Sequence, residues 1–235
     1  MTKMRVNWWT RILDFLAPRH CVVCGKRLSP TERSLCSACL LHLPRTAYQF
    51  TPDDNPMVQL FWKLTPIKQA VALIYYEPHS EVAQLVYEMK YRDRPDIGED
   101  MGRLMANEMQ LAHFFDGIDV LLPIPLSRKR LCQRGYNQSE RLAVGISDIT
   151  GLPVVTKALC RKHFRRSQTQ LSRQERMENV TDMFLLRKGA LLESKHVLLI
   201  DDICTTGATI QACSKVLCDI PDIRISVLTF GFTRS

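Results

Sequence analysis

No uninterrupted apolar stretch of about 18 residues occurs in the sequence, and a membrane-spanning helix needs one. The apolar N-terminal segment NWWTRILDFLAP is broken by Arg11 and Asp14, so neither a transmembrane segment nor a signal peptide is expected, and the chain is expected to be cytoplasmic. There is no internal repeat and no low-complexity tract. The absence of a Gly-x-x-x-x-Gly-Lys-Ser/Thr loop excludes a P-loop nucleotide site, and the absence of Gly-x-Gly-x-x-Gly excludes the dinucleotide fingerprint. What is present is a chain of 235 residues, 46% of them hydrophobic, enough to bury the core of one ordinary domain with a smaller appendage. The formal charge of +8 favours anionic partners. It fits nucleic acid, a membrane surface or a phosphorylated small molecule equally well.

Five of the nine cysteines, Cys132, Cys160, Cys204, Cys213 and Cys218, are scattered, and the other four are clustered. In CVVCGKRLSPTERSLCSAC, Cys21, Cys24, Cys36 and Cys39 form two Cys-x-x-Cys knuckles separated by 11 residues. Two tight turns of this kind aim four thiolates at one tetrahedral ion, with Gly25 suited to the first turn. Zinc is the expected occupant, in a closed structural site with no position left for water. The alternatives are a pair of disulfides, against which a reducing cytoplasm argues, and substitution of His20 or His42 as ligands. Ahead of the knuckles, Trp8, Trp9, Ile12, Leu13, Phe15 and Leu16 suit one apolar face of a short helix ending near Pro18. That face either packs on the zinc module or, with Lys3, Arg5 and Arg11, lies on a membrane surface. Pro44, Pro52 and Pro56 mark a linker. The chain therefore divides into an N-terminal helix with a small zinc-ribbon-like module over 1–47 and a main domain over 48–235.

In the main domain, aliphatic runs at 70–76, 119–126, 153–155, 196–200 and 223–230 alternate with helical patterns at 80–91, 98–114, 137–150 and 206–218. Continuous aliphatic strands between helices predict an α/β fold with a mostly parallel sheet flanked by helices. Ligands of such sheets bind beyond the carboxyl ends of the strands. VLLIDDICTTGAT (197–209) places Asp201 and Asp202 there. The loop after them offers Gly207 for an unusual backbone angle, the hydroxyls of Thr205, Thr206 and Thr209, and free N–H groups at a helix start, which together suit a terminal phosphate. Carboxylates next to a phosphate cradle would accept hydrogen bonds from hydroxyls or hold a metal, so the stretch reads as a sugar-phosphate site. A metal-assisted phosphoryl-transfer site and a plain helix cap after a core strand are the rival readings.

At this point the sequence resembles the type I phosphoribosyltransferases, whose diphosphate-sugar motif has the same aliphatic strand, Asp-Asp pair and Thr-Thr-Gly-x-Thr loop. PRHCVVCG with LCSAC, then LPIPLSRKRLCQRGYNQSERLA, then RRSQTQLSRQERMENVTDMF, and finally VLLIDDICTTGAT, occur in the order seen in the ComF/GntX family of competence-associated proteins. The resemblance implies a type I phosphoribosyltransferase-like fold that binds phosphoribosyl pyrophosphate with magnesium. Asp201 and Asp202 would meet the ribose hydroxyls, and Thr205, Thr206, Gly207, Ala208 and Thr209 the 5-phosphate. It casts the turn after LLPIP as a pyrophosphate loop, where Ser127, Arg128, Lys129, Arg130 and Arg134 follow, and guanidinium groups suit polyphosphate. The stretch 161–180 looks like a catalytic lid that would bring Arg165, Arg166, Ser167 or Gln168 to the leaving group. Lys90, in MKYRDRP, is a candidate contact from a hood over the site. Phe230 or Phe232 is a candidate for stacking on an acceptor, although phenylalanines in such strands more often belong to the core. Cys204 lies near a helix start, where a thiol can be acidified, and simple small-residue packing is the alternative that explains it more readily. Transfer of phosphoribosyl to a nitrogenous acceptor is one functional expectation. The other is a non-catalytic adaptor that contacts single-stranded DNA or competence proteins such as a helicase through its zinc module and basic loop.

Overall fold

The computed structural model describes residues 18–91, 93–162 and 183–234. The expected Trp-rich helix before Pro18 lies outside them, as do Arg165, Arg166, Ser167 and Gln168. In chain order the strands are β1 (Ile67–Tyr75), β2 (Val120–Pro123), β3 (Leu159–Arg161), β4 (Phe184–Leu186), β5 (His196–Cys204) and β6 (Arg224–Phe232). The helices are α1 (Ser37–Leu41), α2 (Pro56–Gln59), α3 (Ala83–Tyr91), α4 (Pro95–Gln110), α5 (Arg128–Arg134), α6 (Gln138–Thr150) and α7 (Ala208–Leu217).

Four strands form a parallel sheet in the order β1-β6-β5-β2. Val71, Ala72, Leu121, Leu122, Val197–Ile200, Val227 and Leu228 are all buried. A strand covered on both faces must be apolar at every position, which is why these runs are continuous and not alternating. Thr46 extends one edge in the antiparallel sense, donating its N–H to Leu73 O at 3.1 Å and its hydroxyl to Ala72 O. At the other edge the expected strand 153–155 is reduced to a single bridge between Leu121 and Val154. Pro153 has no N–H with which to extend the ladder. β3 and β4 pair separately as an antiparallel ribbon that flanks the stretch expected to be a lid.

α4 and α6 pack face to face, with their backbones nearly touching. A Cβ added at Gly145 would sit on the carbonyl oxygen of Glu99, and one at Gly102 on that of Leu142. Arg103 pairs with Glu99 and Asp100 on its own helix and with Asp148 on α6, while Arg141 pairs with Glu99. These contacts fix α6, which carries part of the site. α4 starts and stops earlier than the pattern 98–114, because Pro95 suits a first helical turn and the chain leaves the helix before His113, whose φ is +55°.

Two further expectations are corrected. The buried strand 119–126 ends at Pro123, although Ile124 still donates its N–H to Ile200 O at 3.0 Å. The basic run after it is not a loop but the helix α5, capped by the Ser127 hydroxyl on Arg130 N and closed by Gly135 at φ +77°.

The N-terminal module is a knuckle hairpin followed by α1. Cys21 N–H donates to Lys26 O at 2.8 Å, Gly25 turns the chain at φ +70°, and Val22 N–H donates to Ser34 O at 3.0 Å. Arg33 and the Ser34 hydroxyl bind Asp100 of α4 at 3.1 and 2.6 Å, and Arg45 grips Glu108 with both forks of its guanidinium.

Candidate functional site

A mismatch in strand length opens the site. β2 ends where Pro123 meets Ile200, but β5 continues through Asp201, Asp202, Ile203 and Cys204 with only β6 beside it. The acids are thus the last turns of a strand, open on the side its shorter neighbour vacates, where open α/β sheets hold ligands.

Both carboxylates are partly buried, and each has a specific partner. Ser139, in the first turn of α6, donates its hydroxyl to Asp201 Oδ1 at 2.9 Å. Asp202 N–H donates to the same oxygen at 2.9 Å. Lys90 Nζ, from the last turn of α3, lies 2.8 Å from Asp202 Oδ2. Burial, and then the negative charge of Asp202, push the Asp201 carboxyl from its ordinary 3.8 to about 7, against the hydrogen bonds and the Lys90 charge. Two adjacent acids with one cation cannot both ionise cheaply in such a place.

Beyond the acids the chain turns through Thr205–Gly207 into α7. Gly207 is the capping residue at φ +74° and has no side chain with which to cap; Ala208 N–H donates to Thr206 Oγ1 at 3.5 Å. A Cβ there would lie 2.8 Å from Phe61 Cε1, so the loop also needs glycine for space. Asp201 and residues 203–210 line a cup of about 40 Å³. The N–H groups at the start of α7 and the exposed Thr205 and Thr206 hydroxyls suit an anion. A larger cavity of about 160 Å³ adjoins it and shares Asp201, Ile203 and Thr209. Its other walls include Lys90, Arg130, Arg134, Arg161, Gln138 and Ser139.

At the N-terminus, the ligand atoms of Cys21, Cys24, Cys36 and Cys39 all lie within 4.8 Å of one another. Cys24 Sγ and Cys36 Sγ are 3.7 Å apart, and the thiols are not joined as disulfides. Burial disfavours the Cys21 thiolate, but backbone N–H groups of Cys24, Cys36 and Val23 outweigh it and lower the thiol to about 7. The four sulfurs are placed to bind a metal ion. His42 turns instead to its own helix, with Nδ1 2.8 Å from Ala38 O.

No family model matches the chain. Competence protein ComFC of Bacillus subtilis is 30% identical over 241 residues, spanning 98% of this chain and 90% of that one. The chain belongs to the ComF family. DNA utilization protein YhgH of Escherichia coli strain K12 is 27% identical over 200 residues, 84% of this chain and 83% of that protein. Among solved structures, the allosteric regulatory enzyme of purine biosynthesis is similar over 60% of this chain and 29% of that one, at 21% identity and a TM-score of 0.41. Adenine phosphoribosyltransferase from Leishmania tarentolae is similar over 77% and 89%, at 12% identity and a TM-score of 0.37. Likeness at these scores carries no inference about chemistry.

In this ComF chain, Lys90, Arg134, Asp201, Asp202 and Thr209 surround one cavity, and Thr205, Thr206, Gly207 and Ala208 complete the adjoining cup. Ser127 and Arg128 do not line either; Ser127 is occupied in capping α5 and Arg128 is exposed. Arg165 and Arg166 lie outside the described residues. Phe230 and Phe232 are 0% and 3% exposed, so neither offers a face for stacking. Cys204 is not acidified: burial, with Asp201 nearby, raises its thiol to about 12. Sequence reasoning missed Ser139, Gln138 and Arg161. Ser139 and Gln138 stand in a stretch marked only as a family signature, and Arg161 was counted in a lid although it belongs to β3.

Proposed function

We propose that this chain binds phosphoribosyl pyrophosphate with magnesium and transfers the phosphoribosyl group to a nitrogenous acceptor. One observation carries this reading: an anion cup, an acid pair and a cation-lined cavity are contiguous and share Asp201, Ile203 and Thr209. A ligand that fills all three must have a compact phosphate, a vicinal diol and a longer polyanion. Thr205–Thr209 would hold the 5-phosphate, Asp201 and Asp202 would accept from the ribose hydroxyls, and Lys90, Arg130, Arg134 and Arg161 would face the pyrophosphate. Magnesium suits a site that joins carboxylates to polyphosphate, since it binds through oxygen, and when bound on the ligand's own oxygens it neutralises part of their charge. The chain's cations stabilise the charge that develops as pyrophosphate leaves, and the partly buried floor strengthens that effect. Arg165 and Arg166 complete the cation set if the lid closes over the leaving group.

Zinc is the ion we assign to the four cysteines. Tetrahedral zinc–thiolate bonds of about 2.3 Å place sulfurs about 3.8 Å apart. The Cys24–Cys36 separation of 3.7 Å already has that value.

A second reading, a non-catalytic adaptor for single-stranded DNA or competence proteins such as a helicase, is favoured by α5. That helix carries Arg128, Lys129, Arg130 and Arg134, has no acid and buries no residue. Two relatives carry the names competence protein and DNA utilization protein. Calorimetric titration with phosphoribosyl pyrophosphate and magnesium, with ribose 5-phosphate as control, separates the two readings. Magnesium-dependent binding that is lost in Asp201→Asn with Asp202→Asn supports the transferase site. No binding by folded, zinc-loaded protein overturns it in favour of the adaptor.

A further inference from the structure

The six residues Arg134–Ser139, RGYNQS, join three elements that meet at the site, and each makes a contact the others do not. Gly135 closes α5 in the left-handed region and lets the chain reverse. Asn137 caps α6, accepting from Ser139 N–H at 3.2 Å, and its Nδ2 donates to Ile124 O at 3.0 Å, just past the end of β2. Ser139 reaches Asp201 on β5. Arg134 lies with Cζ 5.3 Å from the Tyr91 ring centre and donates to Gln138 Oε1 at 3.0 Å. Tyr136, 8% exposed, donates its hydroxyl to Met89 O at 2.7 Å.

That last bond reaches the residue before Lys90. Met89 O is among the final carbonyls of α3, which have no partner within the helix. The Tyr136 hydroxyl satisfies it in a buried position, and the Arg94 backbone N–H, at the start of α4, approaches the same hydroxyl. Met89 near the end of α3 and Arg94 at the start of α4 therefore meet one phenol. Lys90 projects from the end of α3 to Asp202.

We propose that Tyr136 is a positioning residue for Lys90, and that through it the RGYNQS turn holds the pyrophosphate-facing cation in register with the acid pair. The inference rests on the phosphoribosyl pyrophosphate reading above and adds the residue that sets the geometry between the two halves of the ligand. In the free protein Lys90 rests on Asp202. When a diol takes its place at Asp202, Lys90 needs only to turn towards the neighbouring polyanion, because its backbone is held by Tyr136. Without the phenolic hydroxyl the Met89 carbonyl is left buried and unpaired, and the α3 end shifts to find another partner.

The test is calorimetric titration of the full-length, metal-loaded chain with two ligands, phosphoribosyl pyrophosphate plus magnesium and ribose 5-phosphate. Tyr136→Phe should weaken the first by about ten-fold and not weaken the second, because ribose 5-phosphate also displaces Lys90 from Asp202 but lacks the group that Lys90 then meets. Lys90→Ala should show the same selectivity, and Tyr136→Phe combined with Lys90→Ala should be no weaker than Lys90→Ala alone. Equal weakening of both ligands, or losses that multiply in the double variant, would show a merely structural tyrosine and overturn the proposal. If Tyr136→Phe is poorly folded by its thermal transition, 4-aminophenylalanine at position 136, which keeps a para donor at the same reach, should bind both ligands as the wild type does; selective loss of the first ligand despite that donor counts against the role. Wild-type protein that binds neither ligand removes the functional reading itself, an outcome distinct from wild-type binding that Tyr136→Phe leaves intact.

Discussion

Replacing Asp201 by asparagine should stabilise the ligand-free protein, and by more as the pH rises. The folded protein holds the Asp201 carboxyl at about 7 against an ordinary 3.8, through burial first and the neighbouring Asp202 charge second. Because the folded value is the higher one, the unfolded chain releases its proton first. Between the two values folding must retain a proton that the unfolded state has lost, so the Asp201 contribution to stability falls as pH rises through this window and is flat above it. At about 1.4 kcal/mol per pH unit, the full cost above neutrality is about 4 kcal/mol, part of it supplied by the negative charge of Asp202. Asparagine cannot ionise, yet its carbonyl oxygen can still accept from Ser139 and from Asp202 N–H. Urea unfolding of wild type and Asp201→Asn in the presence of a chelator for magnesium, at about pH 5 and about pH 8, isolates the acid pair, since the titrating groups outside it are common to both proteins. The stability gain at the higher pH should exceed that at the lower by at least about 1 kcal/mol. A gain that is the same at both values, or a loss that deepens with pH, would refute the account of the acid pair. The same variant should bind ribose 5-phosphate less well, because a carboxylate that accepts from a sugar hydroxyl is the stronger acceptor.

Gly145→Ala adds a Cβ on the Glu99 carbonyl, a backbone atom that cannot swing aside. The helix-propensity gain of about 1 kcal/mol is offset by overpacking of about 1–3 kcal/mol, so a net loss in urea stability is expected, and an unchanged midpoint would show that α4 and α6 separate freely. His196, 1% exposed with its ring between Gly117 O and Ser226 Oγ, is kept neutral by burial, which lowers its affinity for a proton. The unfolded chain gains that proton first as pH falls below about 6.5, so acidification should erode stability from there downward, and a stability profile unchanged by His196→Gln over that range would contradict this. Cys21→Ser should lower bound zinc and expose the knuckle hairpin to protease, because three thiolates and a hydroxyl close the site poorly; full metal content with unaltered cleavage would remove the assignment.

The sheet and the acid–threonine stretch were legible for the same reason: their meaning is contained in contiguous residues. Val197–Ile200 had to be apolar throughout to lie between two covered faces, and Asp201–Thr209 carries its acids and its cradle in one piece. α5 was harder, because RKRLCQR buries nothing and so has no apolar period to detect. Its ends were nonetheless written in Ser127 and Gly135, a cap and a left-handed stop. Phe230 and Phe232 left two readings open, since an aromatic near a site and an aromatic in the core look alike until burial is known, and their burial selects the core.

The long-range contacts around the acid pair belong to a third kind. Ser139 meets Asp201 across 62 residues of chain and Tyr136 meets Met89 across 47. Neither pair shares a local pattern, because a hydroxyl that serves a distant carboxylate or carbonyl carries no periodic signature. RGYNQS could therefore be identified as a marker before it could be understood as a part. Its logic is one of placement: a short basic helix ends in a glycine, the reversal buries a tyrosine under the end of α3, and the next helix begins with a serine under β5. Shortening this turn by one residue would leave α6 seated on α4 through Gly102 and Gly145 but pull its first turn out of place and carry Ser139 away from Asp201. The acids would remain on their strand, but Asp201 would lose the Ser139 hydroxyl that now donates to it.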